Sequence, residues 1–222
     1  MNQKIKRFCI KIYNLKNGLF WRKGNVVVKK SGEDILLDHV RVRSDGTGNV
    51  LELGNGTRLR NVVFNISGNN NLIKIDECCS VNDTIFSTEE NENQIWLKEG
   101  STTTGGVSCS AIEGTKVIFG RDCMISRNIY IATGDGHGII EINGKRNNFS
   151  RDIEIGDHVW IGYSSIINKG VTIPDNCIIA AGSVVCRSIN SDVIENSMIG
   201  GNPARLIKRN INWTRNRKDG EQ

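Results

Sequence analysis

From Ile155 to Val185 an aliphatic residue returns at every sixth position: Ile155, Ile161, Ile167, Ile173, Ile179 and Val185. A helix repeats at 3.6 residues and a strand at two, so neither alone accounts for a period of six. The fifth position of each hexad is small or apolar as well: Val159, Ser165, Val171, Cys177, Ser183 and Ile189. A fifth residue and the next first residue lie two apart, so both point to one face of a short extended segment. Turn-forming triplets separate these segments: Gly-Asp-His, Asn-Lys-Gly, Pro-Asp-Asn and Ala-Ala-Gly. The pattern describes strand, corner, strand. Three such sides close a coil of about 18 residues, and coils of this kind stack by parallel hydrogen bonding into a β-helix.

Weaker copies lie upstream, at Phe119/Cys123, Ile125/Ile129, Leu53/Thr57, Leu59/Val63, Ile75/Cys79 and Val81/Ile85. Two stretches break the rhythm. Residues 87–94, STEENENQ, read as a polar excursion from the coil, and residues 133–151 as a longer loop rich in glycine and charge. Loops thrown from a rigid scaffold are favoured places for function. Ile5, Phe8, Cys9, Ile12 and Leu15 repeat at helical spacing among basic residues, which predicts a short amphipathic helix packed over the first coil. After Pro203 a short helix or strand is expected at 205–208, followed by a disordered tail. The organisation is therefore a basic N-terminal segment at 1–30, a β-helix at 31–190 and a C-terminal extension at 191–222.

Charge is unevenly placed. Residues 1–30 hold nine Lys/Arg and no acid, and residues 205–222 hold six Lys/Arg against two acids, within a chain of net charge +5. The body between them is net acidic. No aromatic-basic reader motif accompanies the basic ends, so a nucleic-acid partner is not expected. Peripheral contact with a membrane surface is consistent with them. No apolar run approaches the roughly 18 residues of a membrane span, and the start lacks a secretory signal pattern. The expected location is the cytoplasm, including the inner face of its membrane. The seven cysteines are scattered without a CxxC pair, which fits packing positions rather than disulfides or zinc, and no metal is expected.

The run IGDHVWIGYSSIINKGVTIPDNCIIAAGSVV, followed by IGGNPARLIKR, resembles the hexapeptide-repeat acyltransferases, and within them the O-acetyltransferases of bacterial capsule and lipopolysaccharide sugars. The likeness is specific from about residue 117 to 209. It implies an all-β, left-handed parallel β-helix, acetyl-coenzyme A as co-substrate, a carbohydrate hydroxyl as acceptor and a homotrimer. It also implies site residues. The Asp-x-His-x-Ile motif at Asp135–Ile139 places His137 as general base, which acyl transfer to a neutral hydroxyl requires. Asp135 has three open roles: orienting His137, touching the acceptor or holding the turn. Trp160 matches a tryptophan beside the cofactor thiol. Gly162 and Ala181 match small residues along the pantetheine arm, Arg187 and Lys208 match basic positions that can meet the phosphates, and Arg205 is a further, less well placed phosphate contact. Pro203 matches a residue near the adenine. Tyr163 and Cys186 depart from the smaller or hydroxylated residues usual there.

Other readings of the same coil are an N-acetyltransferase of amino sugars, a zinc carbonic anhydrase and a non-catalytic scaffold. The first would be expected to carry a nucleotide-binding region, and none is found before residue 40. The second needs three converging histidines, whereas the chain has only His39, His137 and His158, without the required spacing. A scaffold needs none of the Asp135/His137, Trp160 and Gly-Asn-Pro-Ala constellation.

Overall fold

The computed structural model describes residues 3–17, 20–21, 25–186 and 194–217. Three sheets of eight, seven and nine strands, parallel except at the last strand of the nine-stranded one, face one another around a continuous core. As far as strand Val184–Val185 successive strands go to successive sheets, so each turn of chain adds one strand to every face. The hexad positions explain the core. Ile155, Ile161, Ile167, Ile173, Ile179 and Val185 are all buried, as are Val159, Ser165, Val171, Cys177 and Ser183 between them. Ile189 lies outside the described residues. A serine is tolerated inside because its hydroxyl finds a corner carbonyl: Ser165 Oγ donates to Gly162 O at 2.7 Å and Ser183 Oγ to Ala180 O at 2.5 Å. The corners carry a positive φ at every sixth residue: His158, Ser164, Gly170, Asn176 and Gly182. Glycine and asparagine recur there because the left-handed region penalises most other side chains.

The coil repeat is 18 residues from 153 onward, with Glu154 beside Thr172, Trp160 beside Ile178 and Ile166 beside Val184. Upstream it is 22, with Leu72 beside Gln94 and Gln94 beside Lys116. Four extra residues lengthen the strands and fill one corner, where Asn49, Asn71 and Asn93 stack as a buried ladder. Asn71 N donates to Asn49 Oδ1 at 3.0 Å, Asn93 N to Asn71 Oδ1 at 2.9 Å and Thr115 N to Asn93 Oδ1 at 3.1 Å. The expected excursion at 87–94 is therefore absent. Strand Thr84–Glu89 runs through its first half, and the polar residues that follow form the ladder corner. Polar composition there reflects a hydrogen-bonded stack inside the column.

Helix Gln3–Asn17 forms as expected, but it is rolled over from the expected orientation. Ile10 is buried, whereas Ile5, Phe8, Ile12 and Leu15 face outward. The reason is the open edge of strand Leu36–Asp38, the terminal strand of its sheet. Asn14 satisfies that edge as a neighbouring strand would: its Nδ2 donates to Ile35 O at 2.6 Å and its Oδ1 accepts from Leu37 N at 2.8 Å. Strand Val26–Lys30 already belongs to the column, so the β-helix begins before residue 31. At the far end, Ser197–Gly201 adds the next parallel strand and Ala204–Arg209 folds back on it antiparallel.

The disordered tail expected after 209 is corrected for residues 210–217. Trp213 is buried and stacks on the His158 ring, with centroids 4.1 Å apart and planes within 6°. Residues 218–222 lie outside the described residues.

Candidate functional site

The loop at 133–151 leaves the column where the asparagine ladder ends. Thr115 Oγ1 donates to Thr133 Oγ1 at 2.6 Å, and beyond Thr133 the chain departs instead of closing another coil. His137 is exposed on this loop, and among the described residues its ring has no hydrogen-bond partner. Its backbone is fixed. Asn148, nearly buried beneath it, donates from Nδ2 to His137 O at 2.7 Å and accepts at Oδ1 from Ile139 N at 2.7 Å. One amide thus clamps the backbone on both sides of Gly138.

Asp135 does not reach the His137 ring with a hydrogen bond. Its carboxylate accepts from Asn148 Nδ2 at 2.7 Å and pairs with Lys169, whose Nζ also donates to Asn148 O at 2.9 Å. The Lys169 ammonium holds the Asp135 carboxyl below its ordinary range, with Asn148 adding to the effect. Of the three roles left open by the sequence, holding the loop is the one with contacts in this chain. A second anchor lies opposite. Glu113 pairs with Arg146 and accepts from Ser150 N at 2.9 Å and Ser150 Oγ at 2.6 Å, which brings its carboxyl down to about 2.

Trp160 sits elsewhere, on the nine-stranded sheet, whereas the loop joins the eight-stranded to the seven-stranded sheet. Its indole Nε1 donates to Ser126 Oγ at 3.2 Å. Strand pairing continues the row from Trp160 to Ile178, Met198 and Lys208. Three steps of about 4.8 Å place Lys208 some 14 Å along the column from Trp160. Arg205 is exposed on the same hairpin strand, and Pro203 lies at its turn. Ala181 is exposed at the corner after strand Ile178–Ile179. Gly162 is buried, and a Cβ there would meet Ile179 O at 2.5 Å and Ala181 N at 2.7 Å, so stacking of the next coil requires its glycine. Arg187 lies outside the described residues.

The other histidines have structural partners. His158 Nδ1 lies 2.7 Å from Asp122 Oδ2 and its Nε2 3.0 Å from Trp213 O, leaving neither ring nitrogen for a substrate. Burial opposes ionisation of Asp122, but hydrogen bonds from His158 and Arg215 outweigh it and keep the carboxyl below its ordinary range. His39 Nδ1 pairs with Asp38 at 2.5 Å near the helix end of the column. Among the described residues no three His, Cys, Asp or Glu side chains gather as a metal site. The sequence reading missed Asn148, Lys169 and Trp213. Trp213 carried a signal, since a large aromatic residue in a basic tail seldom stays in water. Asn148 and Lys169 carried none, because Asn148 is brought onto His137 only by the fold of the loop back on itself and Lys169 reaches Asp135 from a different coil.

Among the described residues, apolar side chains face outward on the column and its loop as well as on the N-terminal helix. In-register neighbours along the eight-stranded sheet include Val63, Ile85, Tyr130, Ile166 and Val184, and Ile85, Tyr130 and Ile166 are exposed. The loop itself exposes Ile139, Ile140, Ile142 and Phe149.

Residues 152–187 match the family model described as bacterial transferase hexapeptide (six repeats). The chain is 35% identical to a polysialic acid O-acetyltransferase of Escherichia coli O1:K1 / APEC over 121 residues, 54% of this chain and 38% of that one. It thus spans well under half the length of that relative. Among solved structures it is similar to the polySia specific acetyltransferase NeuO, with TM-score 0.64 and 29% identity over 82% of this chain and 92% of that one. It shares its fold with the polysialic acid O-acetyltransferase OatWY, with TM-score 0.74 and 24% identity over 90% and 95% of the two chains.

Proposed function

We propose that this parallel β-helix, which matches the hexapeptide family model at residues 152–187, transfers acetyl from acetyl-coenzyme A to a hydroxyl of a bacterial surface carbohydrate. The observation that carries the reading is His137: an exposed imidazole with an unengaged ring on a loop clamped by Asn148. A general base needs that combination, a free nitrogen and a fixed position. His137 takes the acceptor hydroxyl proton as the oxygen attacks the thioester carbonyl, and returns it to the departing thiolate. Direct transfer requires no covalent acetyl-enzyme, so no cysteine nucleophile is proposed. Burial pushes the Cys79 thiol up to about 12 and the Cys123 thiol up to about 11, far from reactive thiolates. The polysialic acid acetyltransferases among its likenesses make a sialic acid polymer the first acceptor to try.

The row through Trp160, Ile178, Met198 and Lys208 suits an extended pantetheine arm, with Ala181 beside it and Lys208 and Arg205 at the phosphate end. His137 and Trp160 lie on different sides of a single column, so one column alone does not bring the proposed base to the proposed thiol site. The outward apolar row on the eight-stranded sheet and the apolar loop residues support a closed homotrimer, in which His137 of one subunit faces Trp160 of its neighbour.

The test is coenzyme A release from acetyl-coenzyme A in the presence of polysialic acid and other bacterial glycans. His137→Ala should lower turnover about a hundredfold or more with little change in cofactor binding. Near-full activity in that variant would remove the proposal. Inactive His137→Ala and Trp160→Ala subunits, unfolded and refolded together, should recover part of the activity. No recovery in verified mixed trimers would rule out the shared site.

A further inference from the structure

Helix Gln3–Asn17 presents one apolar seam to solvent. Ile5, Phe8, Ile12 and Leu15 are spaced three, four and three residues apart, and they are 54%, 64%, 51% and 83% exposed. The opposite side is already committed to the column through Ile10 and Asn14. The seam is therefore a second apolar face on a helix whose packing face is in use. The helix sequence also carries Lys4, Lys6, Arg7, Lys11 and Lys16 and no acidic residue. Lys4 and Lys11 are exposed and lie on one flank of the seam, each one residue before a seam position.

These charges decide what covers the seam. A second copy of the helix packed seam to seam would line up basic flanks with no carboxylate on either helix to offset them, and the nearby Glu33 of the column is already paired with Arg7. An anionic lipid surface supplies both an apolar layer for the four side chains and negative headgroups for the flanks. We propose that this helix lies flat on an anionic membrane, with Ile5, Phe8, Ile12 and Leu15 in the interfacial layer and Lys4 and Lys11 at headgroup level. The helix runs along the terminal strand Leu36–Asp38, and five strand steps separate that strand from Trp160–Ile161. At about 4.8 Å per step, the Trp160 level of the column stands about 24 Å from the membrane end. The inference does not depend on the acetyltransferase reading.

Flotation of the full chain with vesicles tests it, comparing phosphatidylglycerol/phosphatidylcholine mixtures with phosphatidylcholine alone. The wild type should float with the anionic vesicles, less so at high salt, and far more weakly with the neutral ones. Phe8→Ser/Leu15→Ser should weaken flotation about tenfold or more, and Lys4→Glu/Lys11→Glu should remove the preference for anionic lipid. Both pairs are exposed, so the melting temperature and circular dichroism should match the wild type. Absence of wild-type flotation overturns the proposal, and so does unchanged flotation of the seam variant. A seam variant whose only change is a lower mass by light scattering would also overturn it, by assigning the seam to contact between copies.

Discussion

Asn148→Ala should uncouple the His137 loop without unfolding the column. The side chain makes four hydrogen bonds: to His137 O, from Ile139 N, to Asp135 Oδ2 and from Arg146 Nε. Asp135 keeps Lys169 and Arg146 keeps Glu113, so those two partners are not stranded. His137 O and Ile139 N lose their bonds on an exposed segment where water can replace them. At about 1 kcal/mol net for each bond exchanged for one to water, the ordered loop is weakened by about 2 kcal/mol, or roughly thirtyfold in its closed-to-open ratio. The hydrophobic column contributes nothing to that difference, so the melting temperature should move little. Hydrogen exchange should show loss of protection at the Ile139 amide, and turnover in the coenzyme A release assay should fall about ten- to thirtyfold. The Michaelis constant for acetyl-coenzyme A should hold, since the proposed cofactor row lies on another sheet. Wild-type protection at Ile139 together with wild-type turnover would refute the clamp.

His158→Ala should release the C-terminal segment, because the ring's bonds to Asp122 and Trp213 O and its stack on Trp213 go together. Tryptic cleavage at Arg215 should then accelerate about tenfold, for a loss of about 1.4 kcal/mol, with turnover little changed. Gly162→Ala forces a methyl to 2.5 Å from Ile179 O, an overpacking strain of about 2 kcal/mol that should lower the melting temperature by roughly 5 °C in a scanning calorimeter. Acid should free the loop. Glu113 ionises at about 2 in the folded chain against an ordinary 4.5, so its contribution is complete above 4.5 and is lost as pH falls toward 2. Asp135, lowered by Lys169, acts in the same direction. Exchange in residues 135–148 should rise across that interval, and Glu113→Gln should flatten the dependence while loosening the loop at neutral pH.

The hexads from Ile155 to Val185 were enough to specify the coil, its 18-residue repeat and which side chains point inward. A six-residue alternation of buried positions and left-handed corners is local chemistry, so it is written in consecutive residues. The 22-residue coils were not legible in the same way. Asn49, Asn71 and Asn93 look like loop residues until they stack across three turns, each amide donating to a carbonyl of its own coil and accepting from the coil beside it. The helix was also legible as an element, but its orientation was not. Five apolar residues suggested the packing face, yet the unpaired edge at Ile35 and Leu37 selected Asn14 and turned the apolar seam outward. His137 stood out by motif, and the assignment of Asp135 to Lys169 and Asn148 needed three segments brought together. Periodicity along the chain fixes what each coil buries. Hydrogen bonds between distant coils decide how polar groups pair, because a polar group takes whichever partner the stack brings within about 3 Å.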